Sequence, residues 1–168
     1  MTLMDRKAFV ARYGGIYEHS PWVAEQAFDT DGPSSGDDLI RSLADCVDRA
    51  DVDARLTLIR AHPDLAGKAA IAGELTADSS DEQRSAGIDA CSAAEFERFR
   101  ELNSAYKARF GFPFVMAVRD SDRQAILAAF AARLANDAET EFETAIREIH
   151  KIARLRLQAL DDPGTGDT

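Results

Sequence analysis

Apolar residues recur three and four positions apart along most of the chain, the spacing of one buried helix face. Asp5 caps a first helix carrying Phe9, Val10 and Tyr13, with Gly14 and Gly15 as its stop. Ser20 as N-cap and Pro21 at the first helical position predict a second start ahead of Trp22 and Val23. Residues 30–36, TDGPSSG, read as a loop. Asp37 opens a helix with Leu39, Ile40, Leu43 and Val47 on one face, and a break near Asp51 leads into another from Val52 to Ile59. Pro63 disfavours helical geometry in the residue before it, so this helix ends at or before His62. Gly67 to Thr76 reads as a short helix and a turn. Two overlapping capping boxes, Ser79 with Glu82 and Ser80 with Gln83, precede a brief helix near Gly87. Ser92 to Glu95 forms a further capping box, ahead of Phe96, Phe99, Leu102, Tyr106 and Phe110, with Gly111 as the stop. Phe112 to Val118 is the one extended, almost wholly apolar run. Helices over Asp122–Leu134 and Glu139–Leu160 close the pattern. The expected fold is all-α, a single irregular bundle of about seven or eight helices over residues 1–161, with a disordered polar tail at 162–168.

Composition narrows the partners. The chain has 168 residues, enough for one domain with a real core, and carries a net charge of -10. Nucleic acid and anionic membrane surfaces both need clustered Lys and Arg, so neither is expected. A small anionic substrate is still compatible, because one placed arginine can hold a carboxylate. Cys46 and Cys91 lie in helical patterns without CxxC spacing and read as small core fillers of a reduced, cytoplasmic protein. The N-terminal residues do not read as a signal peptide, no apolar run reaches membrane-spanning length, and the last three residues are no peroxisomal address.

Three positions carry candidate chemistry. His62 sits on the shoulder between a helix end and the turn Pro63-Asp64-Leu65-Ala66-Gly67-Lys68. It is either a capping or surface histidine or a rigidly held general acid/base. Arg156 falls on the apolar stripe of the last helix, with Phe142, Ala145, Ile146, Ile149, Ile152, Ala153 and Leu160. Arg147, Lys151, Arg154 and Gln158 take the solvated side. A guanidinium aimed at a core needs a partner, which is either a buried glutamate or a ligand's anion. At Ser79–Gln83 only one serine can cap, leaving the other, with Glu82 or Gln83, to face elsewhere. The backbone of Phe114 to Val118 also needs partners, which a polar heterocycle can supply. The three histidines are far apart, no cluster has metal-ligand spacing, and there is no phosphate loop or GxSxG. Catalysis here is expected to be cofactor-free acid/base chemistry.

The residues resemble one family, the 2-oxo-4-hydroxy-4-carboxy-5-ureidoimidazoline (OHCU) decarboxylases of urate breakdown. The matching pieces are Gly15-Ile16-Tyr17-Glu18-His19-Ser20-Pro21-Trp22, then His62 to Lys68, Leu75-Thr76, Ser79 with Glu82-Gln83, and Ala86-Gly87. They continue with Leu102-Asn103, Tyr106, Phe110-Gly111-Phe112-Pro113-Phe114, Arg133 to Asn136, Glu141, Lys151-Ile152 and Leu155-Arg156-Leu157. The resemblance implies an all-α homodimer without metal or organic cofactor that converts OHCU to (S)-allantoin and CO2. It makes His62 the catalytic histidine and Glu82 its assistant. Substrate contacts would come from Pro63, Ser79 and Gln83, from the backbone of Phe114, Val115, Met116, Ala117 and Val118, and from Arg156. Val115 and Met116 depart mildly from the family pattern. A rival from another class is a helical docking module, which explains the fold but not Arg156 on the core face.

Overall fold

A computed structural model describes residues 4–67, 74–119 and 121–161. Eight α-helices occur among them: α1 (Arg6–Tyr13), α2 (Trp22–Asp31), α3 (Gly36–Arg49), α4 (Val52–Arg60), α5 (Ala77–Ser85), α6 (Ala93–Phe110), α7 (Arg123–Leu134) and α8 (Ala138–Asp161). A 3₁₀ turn spans Ile88–Ala90. No strand occurs among the described residues, so the all-α expectation holds.

The starts and stops follow from local chemistry. Asp5, Asp51 and Asp122 each accept a backbone N–H three residues on, at 2.8 Å. Each satisfies a donor that has no partner within its helix. Ser92 and Glu95 make the reciprocal capping box at the start of α6. Gly111, in the left-handed region at φ 77°, ends that helix.

Two caps differ from the sequence reading. Pro21 takes the N-cap position of α2, while the Ser20 hydroxyl donates to the Glu18 carbonyl at 2.8 Å. A hydroxyl with a nearer backbone acceptor does not wait for an N–H. At α5 neither Ser79 nor Ser80 is the cap. Thr76 fills that role, its hydroxyl accepting from the Ser79 N–H at 3.2 Å, which moves both serines into the helix body. The helix and turn expected from Gly67 to Thr76 lie largely outside the described residues.

The chain forms two compact units, Met1–Ala61 with His150–Thr168, and His62–Ile149. The first has a core of Phe9, Ile16, Tyr17, Val23, Leu39, Leu43, Val47, Leu58 and Ile59, with Ala153 and Leu157 from the second half of α8. The core of the second is aromatic: Tyr106 lies edge-on to Phe112, Phe114 and Phe130, while Phe114 stacks on Phe130 at 3.9 Å between centroids. Three smaller expectations are corrected. Leu160 is exposed, while the end of α8 is tied to α1 by the Arg12–Asp161 ion pair, and Cys46 and Cys91 are free thiols at intermediate exposure rather than core fillers. The segment read as a loop from Thr30 begins inside α2, which runs on to Asp31.

Candidate active site

Helix α5 has almost no apolar reason to be buried. Its sequence, Ala-Asp-Ser-Ser-Asp-Glu-Gln-Arg-Ser, contains no residue larger than alanine that is apolar. Ser79, Glu82 and Gln83 fall three and four residues apart, and so on one face, and that face is the buried one, at 4%, 8% and 5% exposure. Hydrophobic burial cannot dock such a helix, so hydrogen bonds must. Ser79 and Glu82 are each engaged in interactions within the protein.

Gln83 shows how the docking works. Its Oε1 accepts from the Ala66 N–H at 3.1 Å, and its Nε2 donates to the Asp64 carbonyl at 3.3 Å. Between those contacts, Asn103 of α6 donates from Nδ2 to the Leu65 carbonyl at 2.9 Å. At the solvent side, Lys107 pairs with the Asp64 carboxylate. Asn103 and Lys107, which the sequence reading left without a role, therefore hold the turn after His62. The turn needs holding. Ala66 sits at φ 53°, a left-handed conformation that costs a non-glycine residue about 1–3 kcal/mol. A Cβ on Gly67 would come within 2.6 Å of the Asp64 Cβ, so only glycine fits there.

His62 emerges from this turn directly after α4, whose C-cap is Ala61. The residue is buried at 7% exposure and engaged inside the protein, so it is no surface histidine. Pro63 is half-buried beside it. A cavity of about 300 Å³ adjoins the turn, lined in part by Ala66, Gln83, Ser80, Arg84, Ile88 and Cys91.

The extended run is fastened by a buried polar cluster. Arg133 of α7 donates to the Val115 carbonyl at 2.7 Å and to Glu141 at 2.9 Å, with its guanidinium 4.3 Å from the Phe114 ring centre. Glu141, fully buried, also accepts from the Tyr106 hydroxyl at 2.7 Å and from Asn136 at 3.0 Å. Burial, followed by the bond to Glu141, raises the Tyr106 phenol pKa, so it stays a donor. Ala117 donates its N–H to Glu148 at 3.3 Å. Phe114, Val115 and Val118 are buried, and Met116 and Ala117 are half-buried. The backbone groups of Met116 make no hydrogen bond among the described residues.

Arg156 belongs to the other unit. Its Nη2 donates to Glu18 at 2.8 Å and its Nη1 reaches the Gly15 carbonyl at 3.4 Å. The internal glutamate left open by the sequence pattern is thus Glu18, which no local spacing ties to Arg156. Tyr17, from the same segment, hydrogen-bonds His150 at 2.8 Å, and His150 in turn meets Asp48 at 3.0 Å.

Among the described residues no three His, Cys, Asp or Glu side chains converge as a metal site. These features define a class: an all-α protein whose buried polar side chains surround a strained His-Pro turn. Comparison with known proteins makes this specific. The OHCU decarboxylase family profile matches residues 2–158, and the chain belongs to that family. It is 46% identical over 154 residues to the 2-oxo-4-hydroxy-4-carboxy-5-ureidoimidazoline decarboxylase of Haloferax volcanii, covering 92% of this chain and 89% of that one. It is 41% identical over 157 residues to the uric acid degradation bifunctional protein PucL of Bacillus subtilis, covering 94% of this chain and 31% of that protein. A crystal structure of OHCU decarboxylase in the presence of (S)-allantoin superposes with a TM-score of 0.70 at 25% identity, covering 94% of this chain and 98% of that one. A crystal structure of (S)-allantoin synthase gives 0.75 at 32% identity, over 94% of this chain and 50% of that one.

Proposed function

We propose that the chain is a carbon–carbon lyase that decarboxylates OHCU to (S)-allantoin and CO2 in urate breakdown. The family match across residues 2–158 carries this reading. In the reaction the bond to the carboxylate breaks, its electron pair moves into the ring's own C=N–C=O system, and CO2 departs. The ring nitrogen that takes up the charge is protonated, the 4-hydroxyl gives up its proton as that oxygen becomes a carbonyl, and a proton delivered to one face of the adjacent carbon fixes the chirality. The substrate is its own electron sink, so the protein has only to orient the carboxylate, exclude water and move a proton.

His62 and Glu82 handle that proton in this proposal, with Pro63 against the ring of the substrate. Ser79 and Gln83 hold its polar edge, the backbone of Phe114 to Val118 meets its heterocycle, and Arg156 holds an anionic group. Buried His62 on a braced turn and the polar buried face of α5 support the assignment. Proton transfer from such a positioned group contributes about 10²–10⁴-fold. For Arg156 the contact is an added role, since its guanidinium already meets Glu18. The family resemblance adds that the chain works as a cytoplasmic homodimer without metal or organic cofactor. No helix among the described residues is long and apolar enough to cross a membrane.

The test supplies urate with urate oxidase and hydroxyisourate hydrolase, then follows (S)-allantoin by circular dichroism. Formation faster than spontaneous decay, and unchanged by chelator, is the expected result; no acceleration refutes the activity. Light scattering should give twice 18.3 kDa, and a monomer mass contradicts the dimer.

A further inference from the structure

We infer that Asn103 is a positioning residue for the reaction, forming with Gln83 a two-carboxamide clamp on the backbone that follows His62. The inference rests on the reading of His62 as the catalytic group, and it concerns how that group is held.

One backbone group from each of three consecutive residues, the Asp64 carbonyl, the Leu65 carbonyl and the Ala66 N–H, is satisfied by side-chain amides from two different helices. The conformation they hold is one that alanine at φ 53° does not favour, so it is imposed from outside the turn. Packing does not impose it on one side, because Ala66 and Gln83 border the cavity of about 300 Å³. Asn103 itself lies among the buried Phe99, Leu102 and Tyr106 of α6. An apolar side chain would suit that face better unless the amide's bond to Leu65 is what matters. A carboxamide does not titrate in the working range, so Asn103 acts only through the turn.

Asn103→Asp tests this with nearly unchanged shape. Its carboxylate cannot donate and faces the Leu65 carbonyl, whereas its protonated form has an O–H that can donate again. At about pH 8 kcat should fall about 10- to 100-fold, the scale of a small misplacement, while KM stays within about threefold. The deficit should narrow as pH falls, because desolvation and the facing carbonyl raise that carboxyl's pKa into the assay range. Asn103→Leu, which keeps the branched shape at a somewhat larger volume and loses the donor, should show the kcat loss at every pH. The His62 imidazole resonance, followed by NMR, should shift in both variants while those of His19 and His150 stay in place. A folded Asn103→Leu protein with wild-type kcat and an unmoved His62 resonance overturns the clamp. A wild-type chain without decarboxylase activity would strike the proposed function instead, and the His62 resonance would still decide whether Asn103 positions the turn.

Discussion

Arg156 and Glu18 meet at 2.8 Å with side-chain exposures of 3% and 1%, a buried ion pair linking α8 to the segment between α1 and α2. Removing either partner strips the other of its main counter-charge in a site that water does not reach. Such a loss costs about 3–5 kcal/mol. Glu18→Gln and Arg156→Met should each lower the urea midpoint strongly, while the double variant should recover part of the loss. Additive losses in that cycle would show that the two side chains do not depend on one another. Arg156→Met should also raise KM if the guanidinium has its proposed substrate contact; unchanged KM in folded protein leaves it purely structural.

The Glu141 cluster yields a second expectation. Tyr106→Phe deletes one hydrogen bond to a fully buried carboxylate and should cost about 1.5–3 kcal/mol by denaturant unfolding. Arg133→Lys keeps the charge but loses the planar fork that reaches both Glu141 and the Val115 carbonyl. It should therefore release the extended run and raise KM more than Tyr106→Phe does. Equal KM values in the two variants would separate the run from substrate binding.

Acid stability provides a third. The Ser92 backbone N–H, then the Arg123 and Ser92 side-chain bonds, hold the Glu95 carboxyl below its ordinary value of 4.5 against the opposing effect of burial. A carboxyl with a depressed folded-state pKa stabilises the protein above its unfolded pKa, and that contribution is lost as pH falls through the folded value. Glu95→Gln should accordingly narrow the gap in thermal midpoint to wild type below pH 4.5 and widen it above. A gap that is the same on both sides would remove Glu95 from the acid response.

Much of this architecture was legible from spacing. Helix ends at Asp5, Asp51, Ser92, Gly111 and Asp122 follow from capping chemistry that sits within four residues of sequence. The core face of α8 was legible from Ala145 to Arg156, but not at its end, where Leu157 is buried and Leu160 is exposed. Helix α5 was harder to read because its buried face is polar, so no hydrophobic period marks it, and three hydroxyl residues, Thr76, Ser79 and Ser80, competed for one cap. Thr76 won, which aims Ser79, Glu82 and Gln83 inward together. The hold on the His-Pro turn was not legible at all. Gln83 to Ala66 and Asn103 to Leu65 span 17 and 38 residues, and no local rule joins side chains to backbone over such distances. The His-Pro turn singled out His62 and the resemblance gave it a catalytic role; only the structure shows what restrains it.

In the proposed reaction a buried His62 on this restrained turn moves the proton. The most direct test of that role is the initial rate of (S)-allantoin formation, read by circular dichroism from freshly generated substrate, in His62→Ala against wild type. The expected result is a folded variant with at least about a hundredfold lower rate, the lower end of general acid/base contributions. A folded His62→Ala protein that makes (S)-allantoin at the wild-type rate would contradict it.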